Sequence, residues 1–195
     1  MSPIITGLRE RRRGRVAVDL DGNPWRVLPA DAVVRAGLAV GCRLDRPRAR
    51  QLGREVRRAR ALAVATRSLA ASDRSKRALD LRLAESGHSA AARDDAITAL
   101  DRAGLLDDAR IAQSRAERLE RRGYGDAAIR ADLRRRLIAD DAAADAVAGL
   151  KPERVRAARL LEGKSATPQL VRRLANRGFS RETIDEVRTA FAREA

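Results

Sequence analysis

The sequence predicts an all-α protein of three tandem three-helix repeats in an elongated curved body, preceded by a small N-terminal β-hairpin plus helix module. Apolar residues recur at helical spacing along most of the chain, and capping residues and glycines separate the apolar segments. One segment also recurs farther along the chain. Because short amphipathic helices cannot bury their apolar stripes alone, such segments must stack on one another.

The first residues of the chain are strongly basic. Residues 1–14 contain the run Arg11-Arg12-Arg13, and we expect this segment to be a basic, mobile arm. Residues 1–60 carry 15 basic and six acidic side chains, whereas residues 61–110 have no net charge. The positive charge of the chain is therefore concentrated toward its ends, since residues 151–195 carry 11 basic and six acidic side chains.

Residues 15–47 are predicted to form the N-terminal hairpin and helix module. Apolar and polar residues alternate over 15–28 around the pair Asp21-Gly22, which is a strong signal for a tight turn. A two-stranded hairpin is marginal by itself, so we expect Trp25 to pack on a following helix over 30–39, capped near Gly41.

From about residue 48 onward every segment predicts helix. The candidate helices span residues 48–71, 75–86, 90–103, 107–122, 126–138, 141–149, 152–164, 168–177 and 181–193. Residues that favour helix N-caps precede several of them, namely Ser89, Asp126, Thr167 and Ser180. Glycines suited to left-handed C-caps follow several others, namely Gly87, Gly104, Gly123 and Gly178.

An internal repeat organises these helices. Residues 78–100 align with residues 169–191 at a constant offset of 91, and residues 128–150 fit between them with a one-residue shift. The alignment predicts three repeats, over residues 48–104, 105–150 and 151–195. Stacked helical repeats form extended binding surfaces rather than deep catalytic pockets.

Composition excludes several classes of protein. The single cysteine, Cys42, cannot form an internal disulfide, and with the single histidine, His88, it is too little for a zinc site. No apolar run approaches the roughly 20 residues that span a bilayer. We therefore expect a soluble, cytoplasmic protein with no metal and no cofactor.

Two segments resemble nucleotide-binding motifs but lack the structural context that such motifs require. Residues 123–128, GYGDAA, match a dinucleotide-binding pattern, and Gly163-Lys164-Ser165 resembles the end of a phosphate-binding loop. Neither follows a β-strand, as such loops require, so a helical junction and a linker are the better interpretations. The pairs of aspartates along the chain suit helix first turns better than a metal site. The sequence therefore predicts that this protein is not an enzyme.

Clusters of arginine remain as candidate binding residues. Three lysines accompany 39 arginines, so genomic bias explains some of the net charge of +15. Arg50, Arg54, Arg57 and Arg58 are predicted to share a face of the long helix at spacings of three and four. A solvated face and a surface for a polyanion or an acidic partner remain equally open. With so few aromatic residues, any DNA contact is expected to be weak, non-specific and made to phosphates.

The motif order resembles that of the RecX family of bacterial regulatory proteins. Residues 100–112, LDRAGLLDDARIA, resemble its central motif, Gly123-Tyr124-Gly125 its next block, and residues 78–87 its first repeat. Structural roles are implied for the motif positions Gly104, Asp107, Asp108, Ala112, Gly123 and Gly125. The sequence departs from the family at Ile111, where an aromatic residue is usual, and at residues 136–138, RLI, where a glycine-containing link is usual.

The resemblance implies a function in recombination. RecX proteins bind filaments of the recombinase RecA on DNA and suppress strand exchange, ATP hydrolysis and the co-protease activity. The residues expected to contact RecA or DNA are Arg82, Arg134, Arg135, Arg172, Arg173 and Tyr124, and Tyr124 is equally suited to packing at a repeat junction. We expect a monomer. The alternative is a basic protein that coats DNA without a recombinase partner.

Overall fold

The structure is a computed structural model that describes residues 2–161 and 167–194. The chain divides into two compact units. Unit 1 comprises Met1–Ser72 and Leu79–Leu105, and unit 2 comprises Asp73–Ala78 and Leu106–Ala195. The division of the chain into three repeats stays a prediction.

Unit 1 begins with an antiparallel sheet in the order β1-β2-β3. Its strands are Ile5–Arg11 (β1), Arg15–Leu20 (β2) and Asn23–Pro29 (β3). The predicted hairpin corresponds to β2 and β3, but the sheet has a third strand within residues 1–14.

The expectation of a mobile arm over residues 1–14 is wrong for the strand that this segment contains. Ile5 is 0% exposed and lies in one apolar cluster with Val18 and Leu28. The arginine run lies at the turn between β1 and β2, where Arg13 and Gly14 both have positive φ. The basic residues therefore form a tight turn, and the apolar residues before them hold the strand in the core.

Two helices complete the N-terminal part of unit 1. Helix α1 spans Ala30–Arg35 and ends earlier than predicted, before Gly37 in the left-handed region rather than Gly41. Helix α2 spans Arg46–Ala71. It begins at the N-cap Asp45, whose side chain accepts a hydrogen bond from the backbone N–H of Arg48. Both helices pack against β3.

The rest of the described chain is helical, as predicted, with bounds that differ by up to about three residues. The helices are Lys76–Glu85 (α3), Ala90–Arg102 (α4), Asp108–Arg121 (α5), Asp126–Arg135 (α6), Asp140–Ala148 (α7), Glu153–Leu161 (α8), Pro168–Asn176 (α9) and Arg181–Glu194 (α10). Helix α2 packs on α4 in unit 1, while α5 packs on α7 and α8 on α10 in unit 2. No helix in the described part of the chain is long and apolar enough to span a membrane.

The predicted glycine C-caps are confirmed. Each of the four glycines has φ between 68° and 78°, in the left-handed region that glycine adopts without strain: Gly87, Gly104, Gly123 and Gly178. Leu137 takes the same conformation after α6, with φ of 57°, and Ile138 behind it is buried. Residues 136–138 therefore form the same kind of turn without a glycine, and Leu137 takes a conformation that favours glycine.

Candidate partner and nucleic-acid interface

Three of the predicted contact residues are free arginines on the second helices of the predicted repeats. Arg134 lies on α6, and Arg172 and Arg173 lie on α9. All three are exposed, and their side chains form no ion pair or hydrogen bond within residues 2–161 and 167–190. Such side chains can bind an anionic partner without first breaking an internal contact.

The other two predicted arginines form weak surface ion pairs. In unit 1, Nη1 of Arg82 lies 3.5 Å from Oε2 of Glu85. In unit 2, Nη2 of Arg135 lies 3.5 Å from Oδ1 of Asp132, and the Arg135 side chain is 76% exposed. The Arg82 and Arg135 side chains are 53% and 76% exposed, so both cations remain accessible to a partner.

Asp132 organises the arginines at the end of α6. Arg115 on α5 donates from Nε and Nη2 to its two carboxylate oxygens, at 2.7 and 3.0 Å, and Arg136 donates from Nε at 3.2 Å. The hydrogen bond from Arg115 is the largest of the effects that lower the pKa of Asp132. The carboxylate therefore fixes α6 to α5 and sets the position from which Arg134 and Arg135 project. Sequence reasoning missed this role because Arg115 is 17 residues away.

Tyr124 is held between two guanidinium groups in unit 2. The Cζ atoms of Arg122 and Arg177 lie 5.7 and 5.9 Å from its ring centroid, within reach of a cation–π interaction. The ring is partly buried against the core cluster that contains Ile129 and Leu133. Arg177 also donates from Nη1 to the carbonyl oxygens of Arg122 and Gly123. Tyr124 thus occupies a packing position, and its predicted contact with a partner stays a prediction.

The glycines beside Tyr124 allow two backbone segments to meet. The N–H of Gly125 donates to the carbonyl of Arg177 at 2.8 Å, and the N–H of Ala127 donates to the carbonyl of Gly178 at 3.1 Å. A Cβ atom on Gly125 would overlap the backbone of Gly178 and Phe179. The G-x-G pattern therefore serves a close approach between the α5–α6 and α9–α10 turns, and a helix rather than a strand precedes it. The other phosphate-loop candidate, Gly163-Lys164-Ser165, lies outside the described residues.

Glu153 and Arg156 on α8 complete this junction. Glu153 accepts hydrogen bonds from the N–H groups of Asp126 and Ser180 and from the hydroxyl of Thr183. Burial alone would raise the pKa of Glu153, but these hydrogen bonds hold it below its usual value. Arg156 is 6% exposed, donates to the carbonyls of Lys151 and Tyr124, and pairs with Asp126.

The remaining motif positions have local structural roles. Gly104 ends α4, and the N–H of the next residue, Leu105, donates to the carbonyl of Leu100. Asp107 caps α5 by accepting from the N–H of Arg110 at 2.8 Å, while Asp108 accepts from the N–H of Lys76 at 3.0 Å. Ala112 is fully buried among the α5 and α7 residues of its cluster.

The basic face predicted for α2 is wrong as a single face. Arg58 turns toward α1, where Nη1 lies 3.4 Å from Asp31, and its side chain is also within ion-pair distance of Glu55. Arg57 instead lines a groove beside β3, and Trp25, which was expected to be covered by a helix, lines the same groove and is 37% exposed. Successive helical residues point about 100° apart, so neighbouring arginines meet different surroundings.

No group of three or more His, Cys, Asp or Glu side chains within the described ranges is placed to hold a metal ion. The candidate interface consists of arginine side chains, the rings of Trp25 and Tyr124, and backbone turns.

The fold belongs to the class of mostly helical chains that begin with a small antiparallel sheet. Solved structures share this fold. The chain matches a structure described as regulatory protein RecX with a TM-score of 0.81 and 19% identity, covering 96% of this chain and 99% of that one. It also matches RecX from Lactobacillus salivarius, with a TM-score of 0.62 and 18% identity over 70% of this chain and 97% of that one.

No model of a protein family matches the sequence. No curated protein matches it either. The chain nevertheless has the fold of the RecX regulatory proteins over nearly its whole length. The shared fold confirms the resemblance that the sequence motifs indicated.

Proposed function

We propose that this protein is a RecX-type regulator that binds RecA filaments on DNA in the cytoplasm and inhibits the recombinase, ATPase and co-protease activities of RecA. The observation that carries the proposal is the fold that the chain shares with a regulatory protein RecX over 96% of its length. The order of sequence motifs supports it independently, because those motifs were identified without the fold.

The proposed contact surface is the set of exposed arginines on the second helices of the predicted repeats. Arg134, Arg172 and Arg173 have no side-chain partner among the described residues, and Arg82 and Arg135 each have an ion-pair partner at 3.5 Å. A regulator that acts on several recombinase protomers needs similar contacts at several points along its chain. Repeated basic helices meet that need, whether they contact acidic protein surfaces or DNA phosphates.

We also propose that the helices form three similar repeats. The pairing of α2 with α4, α5 with α7 and α8 with α10 supports this organisation. The link after α6 supports it too, because Leu137 and Gly178 share a left-handed conformation at matching positions.

The test is the DNA-dependent ATPase activity of the cognate RecA on a fixed amount of single-stranded DNA, titrated with this protein. We expect inhibition at well below one copy per RecA protomer. The triple variant Arg134→Ala/Arg172→Ala/Arg173→Ala should need about tenfold more protein for the same inhibition, because clusters of charge at an interface contribute a few kcal/mol.

The matched control removes three exposed arginines from first helices of the predicted repeats: Arg110→Ala/Arg154→Ala/Arg159→Ala. It loses the same charge and should inhibit nearly as well as the unchanged protein. Inhibition that requires enough protein to cover the DNA, and that extra DNA relieves, would instead support the DNA-coating alternative. No effect on RecA at any ratio would refute the proposed function.

A further inference from the structure

Unit 1 contains an open groove between β3 and α2. Its volume is about 500 Å³, and Leu28, Leu52 and Val56 contribute its apolar lining. The side chains of Leu28 and Leu52 also belong to the core of this unit, so the groove is supported by buried residues. A site built on a sheet and a long helix keeps its shape better than a site built on loops.

Trp25 provides an aromatic surface in this groove. It is the single tryptophan of the chain and remains 37% exposed, although a large aromatic ring gains most when it is covered. The guanidinium of Arg26 lies over the ring, 5.2 Å from its centroid, which places a positive charge on one face and leaves the other face to a ligand. The groove thus combines a planar ring with an adjacent cation.

The charge that lines the groove is positive. Arg26, Arg57 and Arg60 line it, and no carboxylate does so among the described residues. Arg57 and Arg60 are exposed and have no hydrogen bond or ion pair within the part of the chain that the structure describes. They lie three residues apart, so both project from the same side of α2. These free cations are complementary to an anion.

Gly53 keeps the groove open. It lies within the 26-residue helix α2, where glycine is less favourable than alanine. A Cβ atom at this position would meet only Nη1 of Arg57, at 3.4 Å, so no crowding of the backbone requires glycine. The absence of a side chain leaves space in the groove beside Arg57.

We propose that this groove binds single-stranded nucleic acid, with one unpaired base against Trp25 and the neighbouring phosphates at Arg57 and Arg60. An unpaired nucleotide presents both a planar face and an anion, which are the two partners that the groove can satisfy. Base stacking on an aromatic side chain tolerates any base, so the site has little sequence preference. The bases of a duplex are already stacked on each other and do not offer a free face. The proposal does not depend on a recombinase partner.

Tryptophan fluorescence reports on the groove directly, because Trp25 is the single tryptophan of the chain. Titration of the full-length protein with a short oligothymidylate at low salt should quench its fluorescence. A duplex of equal length, and an abasic strand that has phosphates but no bases, should quench it much less. Poly-glutamate at equal charge should not quench it, and equal or stronger quenching by poly-glutamate would instead assign the groove to an acidic peptide and overturn the proposal.

Variants distinguish nucleic-acid binding in the groove from binding by the positive charge of the surface in general. Affinity, measured by the anisotropy of a labelled oligothymidylate, should fall about tenfold for Trp25→Ala. Arg57→Ala/Arg60→Ala should lower it by a similar factor, and Gly53→Leu should do so by filling the space. The matched control Arg50→Ala/Arg54→Ala removes the same charge from exposed positions of the same helix that do not line the groove, and affinity should change less than about threefold.

Circular dichroism establishes that each variant is folded. If Gly53→Leu perturbs the helix, Gly53→Ala gives the milder comparison, and the arginine pairs still decide the outcome. Equal losses for the two arginine pairs, or no quenching of Trp25 by the single strand, would refute the groove as a nucleic-acid site. Neither result depends on RecA, so failure here and failure of the proposed function are distinguishable.

Discussion

The arginines and glycines at the junction in unit 2 differ in their surroundings from those of the groove and the helix ends in unit 1. In unit 2, Arg115, Arg156 and Arg177 are held by carboxylates or backbone carbonyls of the same unit. In unit 1, Arg57 and Arg60 line an open groove without a partner among the described residues. Glycines differ in the same way. A Cβ on Gly125 or Gly178 would meet another segment of the chain closely, whereas one on Gly87 or Gly104 would meet nothing within 4 Å.

This difference shows why a count of arginines does not locate a binding surface. Arginines that hydrogen-bond to other segments of the chain stabilise the fold, and their donors are not available to a partner. Arginines without internal partners add little to stability and are available. The sequence does not distinguish the two kinds, because each arginine of the first kind has a partner at least 17 residues away along the chain.

The largest difference in the free energy of unfolding should lie between a variant of the buried Arg156 and a variant of the exposed Arg57. Arg156→Met leaves two carbonyls and Asp126 without their donor inside unit 2, so we expect the free energy of unfolding to fall by about 4 kcal/mol. Arg57→Met should change it by less than about 0.5 kcal/mol, since the side chain has no partner in the described part of the chain. Urea unfolding followed by circular dichroism measures both. Similar losses would show that Arg156 and Arg57 do not differ in their contribution to stability.

The next largest difference in stability should lie between alanine variants of Gly125, which is crowded, and of Gly104, which is not. Gly125→Ala places a methyl group onto the backbone of Gly178 and Phe179, and we expect a loss of about 3 kcal/mol in unit 2. Gly104→Ala meets no atom within 4 Å and pays only for a positive φ, about 1 kcal/mol. Hydrogen exchange of peptides from each unit measures the two effects separately. A loss at Gly104 as large as that at Gly125 would mean that the close backbone approach contributes nothing specific.

Local signals made much of the fold predictable. The glycine C-caps, the turn at Asp21-Gly22 and the cap at Thr167 follow from chemistry within a few residues, and the structure places them as expected. Strand β1 was missed because the adjacent run of arginines suggested a solvated arm, whereas the fate of this segment depends on Ile5 fitting the core. Asp126 was expected to cap α6, but the cap is Gly125 and Asp126 is the first residue of the helix, where its N–H donates to Glu153.

The candidate sites were less predictable than the fold. The exposed arginines on α6 and α9 follow from helical spacing alone. The roles of Asp132, Glu153 and Arg156 do not, because each depends on a contact with another helix. The groove beside Trp25 also required the structure, since it forms between a strand and the opposite side of α2 from Arg58.

Acid should produce the smallest of these effects, through Glu153 and Asp132 in unit 2. The folded-state pKa values of Glu153 and Asp132 lie below their unfolded values, so their stabilisation is complete above the unfolded pKa, about 4, and is lost as pH falls through the folded value. Glu153→Gln should cost about 1 kcal/mol at pH 7, because a neutral amide accepts hydrogen bonds less strongly than a carboxylate. This deficit should shrink as pH approaches 3, while Asp132 keeps part of the acid sensitivity. Unfolding at a series of pH values measures it, and a deficit that stays constant from pH 7 to 3 would show that the charge of Glu153 does not stabilise the junction.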